Sequence, residues 1–245
     1  MTDRTQEREA ELAGNLAAVR ERIAAACAAA GRARDEVTLI VVTKTYPASD
    51  VRILSRLGVR EVAENRDQDA APKAEACADL PLTWHFVGQL QTNKVRSVVR
   101  YADVVHSVDR LRLVDALSAA VMKSERAGRE LGCLVQVALD AESGPESRGG
   151  VAPDAVEGIA EAVAAAPGLR LDGLMTVAPL AGPYAGQPRA AFDRLAEIAS
   201  CLRAAHPAAN MVSAGMSADL EEAIAAGATH VRIGSAVLGV RTGLG

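Results

Sequence analysis

The chain has 245 residues, of which 49% are hydrophobic and 24% charged, and its formal net charge is -4. This length and apolar content suit one large folded core and exclude an intrinsically disordered chain. The weak negative charge and the aromatic content of 2% argue against nucleic-acid binding, which needs basic surface and aromatic stacking.

The cysteines and the N-terminus indicate the compartment. Cys27, Cys77, Cys133 and Cys201 lie far apart and form no CxxC pair, so we expect neither a metal site nor a disulfide framework. The first 15 residues are polar and charged where a secretory signal would be apolar. No apolar run approaches the ~20 residues of a membrane span. The sequence therefore predicts a cytoplasmic protein without a membrane partner.

Hydrophobic spacing predicts a helix over the first thirty residues, in which Leu12, Leu16, Val19 and Ile23 recur every three or four positions. After Gly31, β-rich segments alternate with helical ones. The predicted strands are 37–44, 61–65, 84–88, 104–108, 133–139, 169–177, 211–214 and 230–234. The predicted helices between them are 49–57, one ending near 78, 92–100, 109–127, 153–166, 189–205 and 218–226.

Eight strands that alternate with helices predict a parallel sheet, because each parallel crossover needs a helix. At this length the best fit is a single domain over 1–245, an α/β fold of the (β/α)8 TIM barrel type with an additional N-terminal helix. A doubly wound open sheet is the rival. Neither a Gly-rich dinucleotide turn nor a GxxxxGK[ST] loop follows the first strand, which weakens the rival. The Pro- and Gly-rich segment 178–188 predicts a loop on the barrel rim.

Ligands of such a barrel bind at the carboxyl ends of its strands. Lys44 closes the first predicted strand, where partial desolvation would lower the pKa of its amine and favour a Schiff-base nucleophile. The alternative is a lysine that reaches solvent at the rim or pairs with Glu64.

The ends of the last two strands predict a phosphate site. Ser217 is a candidate N-cap for the helix that follows, and Gly215 would let backbone approach a ligand closely. Arg232, Gly234 and Ser235 add a cation, backbone donors and a hydroxyl at the end of strand eight. Loops after strands seven and eight are the usual phosphate site of this fold, although capping and turn chemistry alone explain Ser217 and Gly215. A lysine and a phosphate cradle across the barrel mouth together suggest a phosphorylated aldehyde.

These residues belong to a set of segments that occurs in one order in a known family. The chain resembles the pyridoxal 5′-phosphate (PLP) homeostasis proteins, which are similar to the barrel domain of alanine racemase, over about residues 15 to 240. The segments are VVTKTYP at 41–47, AENRDQ at 63–68, WHFVGQLQTNK at 84–94, HSVDR at 106–110, GLMT at 173–176 and SAGMSADLEEAIAAGATHVRIGSAVLG at 213–239.

The resemblance implies that Lys44 holds PLP as a Schiff base. It implies phosphate contacts from Ser213, Ser217, Gly234 and Ser235. Arg232 would face the pyridine nitrogen and leave it unprotonated, because arginine gives up no proton readily.

Three further positions match the family near the cofactor. The resemblance places Asn65 and His85 there, although His85 between Trp84 and Phe86 is equally compatible with a core histidine. Met175 would pack under the cofactor ring rather than act chemically.

The chain departs from the family at three places. Val62-Ala63 stands where Phe-Gly is usual, which changes the packing below the cofactor. Tyr46 stands where many relatives have a second lysine, and Arg148 where a lysine is common. These departures leave the Schiff-base lysine and the phosphate motif intact and affect finer substrate handling.

Three functions remain open from the sequence. The first is a PLP-binding protein of vitamin B6 homeostasis, with PLP-dependent apoenzymes as partners, no catalytic residues and a monomeric state. The second is a PLP-dependent amino-acid racemase, which needs a second base opposite the lysine. Tyr46, Tyr101 and Tyr184 are the only tyrosines in this sequence, and we expect no second domain after the barrel to supply the base. The third is a Schiff-base aldolase or sugar-phosphate isomerase without PLP.

Overall fold

Eight parallel strands close into a barrel in chain order, with β1 paired to both β2 and β8, in a computed structural model that describes residues 3–126, 128–140 and 149–239. The predicted fold class is confirmed. The strands are β1 (Thr38–Val42), β2 (Glu61–Glu64), β3 (Thr83–Phe86), β4 (Val104–Val108), β5 (Leu131–Gln136), β6 (Leu169–Met175), β7 (Met211–Ser213) and β8 (His230–Ile233).

Helices follow the strands and cover the outside of the barrel. They are α1 (Asp3–Ala29), α2 (Ala48–Arg56), α3 (Asp67–Ala76), α4 (Val95–Tyr101), α5 (Leu111–Met122), α6 (Val156–Ala165), α7 (Pro188–Ala205), α8 (Leu220–Ala225) and α9 (Ser235–Leu238). Short 3-10 helices lie at Arg34–Glu36, Thr92–Lys94 and Pro153–Ala155. The loop predicted over 178–188 is irregular as far as residue 187.

The predicted boundaries differ from the structure mainly at helix ends. The helix predicted over 109–127 spans Leu111–Met122, and residue 127 lies outside the described residues. The helix predicted from residue 218 begins only at Leu220. Helix α9 was not predicted, since four residues are too few to show a helical period.

Strand alternation separates two apolar layers. Val41, Val62 and Trp84 point outward into the packing between strands and helices. A second cluster fills the inside of the barrel, and its buried members are Val104, Leu134, Met175 and Met211.

The N-terminal helix α1 packs against both α8 and α9. Its buried residues Leu12, Leu16, Val19 and Ile23 share one cluster with residues of both short helices. Burial of each such side chain stabilises the fold by roughly 1.5–3 kcal/mol. Helix α1 therefore fixes the positions of α8 and α9, which follow β7 and β8. In the described part of the chain, no helix is long and apolar enough to cross a membrane.

Candidate ligand site at the barrel mouth

Lys44 lies in a tight turn at the carboxyl end of β1. The strand ends at Val42, and the backbone N–H of Tyr46 donates to the carbonyl oxygen of Thr43 over 3.1 Å. Thr45 has a φ of 69°, a left-handed conformation that strains a β-branched residue. The Lys44 side chain is exposed. The exposure of Lys44 agrees with the alternative of a lysine that reaches solvent at the rim rather than with partial desolvation, because the strand ends two residues earlier.

Glu64 pairs with Lys73 of α3 rather than with Lys44. The Glu64 side chain is fully buried, and its Oε1 accepts from Lys73 Nζ at 2.5 Å and from Thr43 Oγ1 at 2.6 Å. Lys73 Nζ also donates to the carbonyl oxygen of Thr43 over 2.8 Å. Burial raises the pKa of Glu64, and the bonds from Lys73 and Thr43 oppose that rise. This cluster anchors the residue that precedes Lys44.

Two serine hydroxyls meet at the ends of the last two strands. Ser217 Oγ lies 3.5 Å from Ser235 Oγ, and the Ser235 hydroxyl belongs to an exposed residue. Gly234 packs against the end of β1, where an added Cβ would lie 3.2 Å from the carbonyl oxygen of Val42. Because β8 pairs with β1, Ser235 of this pair follows the strand next to the one that leads into the Lys44 turn, and not a strand across the barrel mouth as expected.

One local expectation for the loop after β7 is wrong. Ser217 is not the N-cap, because α8 starts at Leu220 and Asp219 precedes it, accepting the Met216 N–H over 2.6 Å. Gly215 has a φ of 89°, and a Cβ there would lie 2.6 Å from Ala223 Cβ. Glycine is therefore required at this position by the close packing of the backbone against helix α8.

Arg232 extends from β8 into the barrel and is 4% exposed. Its Nη1 donates to Ser213 Oγ over 2.6 Å, and its Nη2 donates to the carbonyl oxygen of Thr176 over 2.9 Å. Burial lowers the pKa of Arg232 to about 10, while Asp219 opposes that change, so the guanidinium is charged at neutral pH. Ser213 is fully buried, so its hydroxyl supports Arg232 instead of lying at the rim as a phosphate contact.

His85 lies inside the barrel, which agrees with the core alternative. Its Nδ1 is 2.8 Å from His106 Nε2, and its Nε2 is 2.7 Å from Glu61 Oε2. Burial would raise the pKa of Glu61, but the hydrogen bond that His85 donates to it opposes this effect, and the pKa is lowered. Burial holds the pKa of His106 well below its usual value.

The remaining two predicted site residues occupy different surroundings. Met175 is 1% exposed and belongs to the apolar cluster inside the barrel. Asn65 follows β2 and lines a cavity of about 230 Å³. Other residues that line it are Arg66, Gln68, Gln89, Gln91 and Lys94.

The departures from the family pattern have structural roles where they are described. The Tyr46 hydroxyl donates to the carbonyl oxygen of Gly239 over 2.7 Å, which ties the Lys44 turn to the end of α9. Ala63 is fully buried in β2, and Val62 packs outward under the helices. Arg148 lies outside the described residues.

Sequence reasoning missed His106, Glu61 and Lys73. His106 and Glu61 lie in predicted strands, where successive side chains point to opposite faces, so each residue faces either the inside or the outside of the barrel. Their partners are 21 to 107 positions distant in the chain. No local pattern predicts such pairings.

A family model described as "Alanine racemase, N-terminal domain" matches residues 14–242. The class defined by fold and site is therefore that of alanine-racemase-like barrels. Proteins named "Pyridoxal phosphate homeostasis protein" are similar over nearly the whole chain. The one from Mycobacterium tuberculosis (strain ATCC 25618 / H37Rv) is 47% identical, covering 96% of this chain and 95% of its own. The one from Escherichia coli (strain K12) is 37% identical, covering 94% and 97%.

A solved structure gives the same assignment. PipY of Synechococcus elongatus PCC7942, described with PLP bound, is 32% identical with a TM-score of 0.77 over 93% of this chain and 100% of that one. The chain belongs to the pyridoxal phosphate homeostasis protein family, as its motifs predicted.

Proposed function

We propose that this chain binds PLP at the barrel mouth, holds it as a Schiff base on Lys44 and serves intracellular PLP homeostasis. The observation that carries the proposal is the position of the Ser217–Ser235 hydroxyl pair beside the exposed Lys44 turn. A phosphate and an aldehyde on one small molecule match these two features. The PLP described in the PipY structure supports the same ligand here.

The side chains present fit PLP in charge and in hydrogen bonding. The two serine hydroxyls can donate to phosphate oxygens. Arg232 donates one N–H from each terminal nitrogen, to Ser213 and to Thr176, and these two bonds orient its guanidinium. The other N–H groups of the guanidinium can donate to a further acceptor. Because the Arg232 guanidinium only donates hydrogen bonds, it would favour the unprotonated form of the PLP pyridine nitrogen.

Lys44 supplies the covalent contact. PLP contributes an aldehyde, which condenses with a neutral lysine amine and releases water. The exposed turn lets Lys44 reach a ligand that arrives from solvent, while Thr43 fixes its base through the Glu64–Lys73 cluster. Exposure of this amine also suits exchange of PLP with apoenzymes, which we include in the proposal.

A binding role without racemase chemistry is supported by the tyrosines. A racemase needs a second proton-transferring group opposite the lysine. The Tyr46 hydroxyl donates to the Gly239 carbonyl. Tyr101 packs against Trp84 on the outer side of the sheet, and burial raises its pKa far above the usual value. Neither tyrosine is prepared to move a proton at the barrel mouth.

The four cysteines are unpaired, and the Cys201 thiol is exposed. A free exposed thiol suits a reducing compartment, so the proposal places the protein in the cytoplasm.

The test compares Lys44→Ala with Lys123→Ala, a matched exposed lysine at the end of α5. We expect Lys44→Ala to lose the visible absorption of the Schiff base and to retain weak PLP binding in equilibrium dialysis. Lys123→Ala should match the wild type in both measurements. Unchanged absorption in Lys44→Ala, or no PLP binding by the wild type, would overturn the proposal.

A further inference from the structure

A continuous chain of hydrogen bonds crosses the inside of the barrel from Arg232 on β8 to Glu61 on β2. Arg232 Nη1 is 2.6 Å from Ser213 Oγ, which is 3.0 Å from His106 Nδ1. His106 Nε2 is 2.8 Å from His85 Nδ1, and His85 Nε2 is 2.7 Å from Glu61 Oε2. Arg232, Ser213, His106 and His85 are at most 4% exposed, so water cannot substitute for the links among these four residues.

With both histidines neutral, the Glu61 end of this chain fixes the direction of every proton in it. Arginine only donates, and an ionised carboxylate only accepts. Glu61 therefore requires the proton on Nε2 of His85, which leaves Nδ1 of a neutral His85 as an acceptor for Nε2–H of His106. Nδ1 of a neutral His106 then accepts the Ser213 hydroxyl proton, and the Ser213 oxygen accepts from Arg232.

A second proton on His85 would reverse the middle of the chain. His85 Nδ1 would donate to His106, and His106 would present Nδ1–H to Ser213. The Ser213 oxygen would then receive two donors, and its own hydrogen would lose its acceptor in the chain. The neutral arrangement uses each donor and acceptor once, so it is favoured.

Arg232 depends on this chain for its orientation. No ion pair joins its guanidinium to a carboxylate anywhere in residues 3–126, 128–140 and 149–239. Its anchors are one hydroxyl and one carbonyl. The hydroxyl is itself oriented by the two histidines, and the nearest charge along the hydrogen bonds is Glu61 at the far end.

We propose that Ser213, His106, His85 and Glu61 are positioning residues for Arg232, so that a carboxylate at the amino end of β2 orients a guanidinium beneath the barrel mouth. For its effect on PLP this inference rests on the proposed function. The proton arrangement itself is a property of the ligand-free chain.

The first experiment measures the histidine tautomers without PLP. The chain has four histidines, so long-range 1H–15N NMR spectra of labelled full-length protein resolve each ring. We expect both His85 and His106 to carry their proton on Nε2 at neutral pH. An Nδ1–H tautomer or a doubly protonated ring at either position would overturn the proposal.

The second experiment removes the charge of Glu61. In Glu61→Gln the carboxamide can accept or donate, so it no longer sets the direction, and we expect the ring 15N shifts of both histidines to change. We expect PLP affinity to fall about fivefold, which corresponds to the loss of one hydrogen bond. We also expect the absorption spectrum of bound PLP to change. Glu157→Gln, at an exposed glutamate of α6, is the matched control and should change neither.

The outcomes separate the two proposals. If the wild type binds no PLP, the proposed function fails, while the tautomers still decide the proton arrangement. If the wild type binds PLP and Glu61→Gln binds it equally well with an unchanged spectrum, the positioning role is overturned, whatever happens to the tautomers.

Discussion

Lys73 shows how a single buried charge can determine the stability of the site. It is 8% exposed and forms the only ion pair of fully buried Glu64 in the described part of the chain. Lys73→Met leaves that carboxylate uncompensated, and breaking a buried pair in this way costs about 3–5 kcal/mol. Urea unfolding at neutral pH measures the loss, which should shrink in acid because the raised pKa of Glu64 lets it become neutral.

The control is Arg194→Ala, which breaks the exposed pair with Glu197 on α7. An exposed pair of this kind contributes under about 1 kcal/mol. A Lys73→Met loss no larger than that of Arg194→Ala would contradict the role given to the buried cluster.

The sequence could predict which polar residues point into the barrel, but not which of them contact one another. The period of two places His85, His106 and Arg232 on the inner face of their strands. Which of them touch depends on barrel closure and strand register, which join residues far apart in the chain. The sequence left the exposure of Lys44 as one of two alternatives, and the structure decides it because the strand ends at Val42 and a turn follows.

Among the elements, the loop from β7 to α8 depends on backbone conformation. Gly215 combines a φ of 89° with close packing on Ala223 of α8. Gly227 has a φ of 99° but open space where a Cβ would be. Gly227→Ala should lower the free energy of unfolding by about 1–2 kcal/mol because of its backbone conformation alone. Gly215→Ala should lower it by about 1–3 kcal/mol more, because the added Cβ would clash with Ala223. Chemical unfolding of both variants checks the difference, and equal losses would contradict the packing argument.

The order of the elements was predictable because strands and helices differ in the local spacing of their hydrophobic residues. All eight strands were placed within about three residues of their observed ends, which is the usual uncertainty of element boundaries. Short elements carry too little periodicity to predict. Helix α9 has four residues and helix α8 has six, so one was missed and the start of the other was placed too early.

At the scale of the whole molecule, buried histidines make the fold sensitive to acid. Burial lowers the pKa of His230 to about 4 and holds that of His106 well below 6.5. Between about pH 6.5 and pH 4 the unfolded chain binds more protons at these sites, so the free energy of unfolding falls as pH falls. The slope approaches about 1.4 kcal/mol per pH unit for each histidine. Glu64 acts in the opposite direction, because its raised pKa makes the folded state bind a proton earlier.

Urea unfolding at several pH values between 7 and 5 measures this slope. His230→Gln should flatten it by the contribution of one histidine. A free energy of unfolding that stays constant over this range in the wild type would contradict the neutral state of the two buried rings.

The surface favours a monomer. The exposed large apolar residues of the described chain are Leu111, Met122, Leu180 and Met216. Leu111 and Met122 lie at opposite ends of α5, and the other two belong to separate loops, so we expect them not to form one large apolar patch. Light scattering after size exclusion should give a mass near 25.4 kDa, and a stable dimer would contradict this prediction.

Covalent capture of PLP by Lys44 is the central claim, and the chain is well suited to test it. It contains four lysines, of which Lys73 is buried in its pair with Glu64, while Lys44 and Lys123 are exposed and Lys94 is partly buried. The measurement is mass spectrometry of proteolytic peptides after the full chain is loaded with PLP and reduced with borohydride. The account predicts one pyridoxyl group per chain, on the peptide that carries Lys44. A label on Lys94 or Lys123 in place of Lys44, or an unlabelled chain, would contradict it.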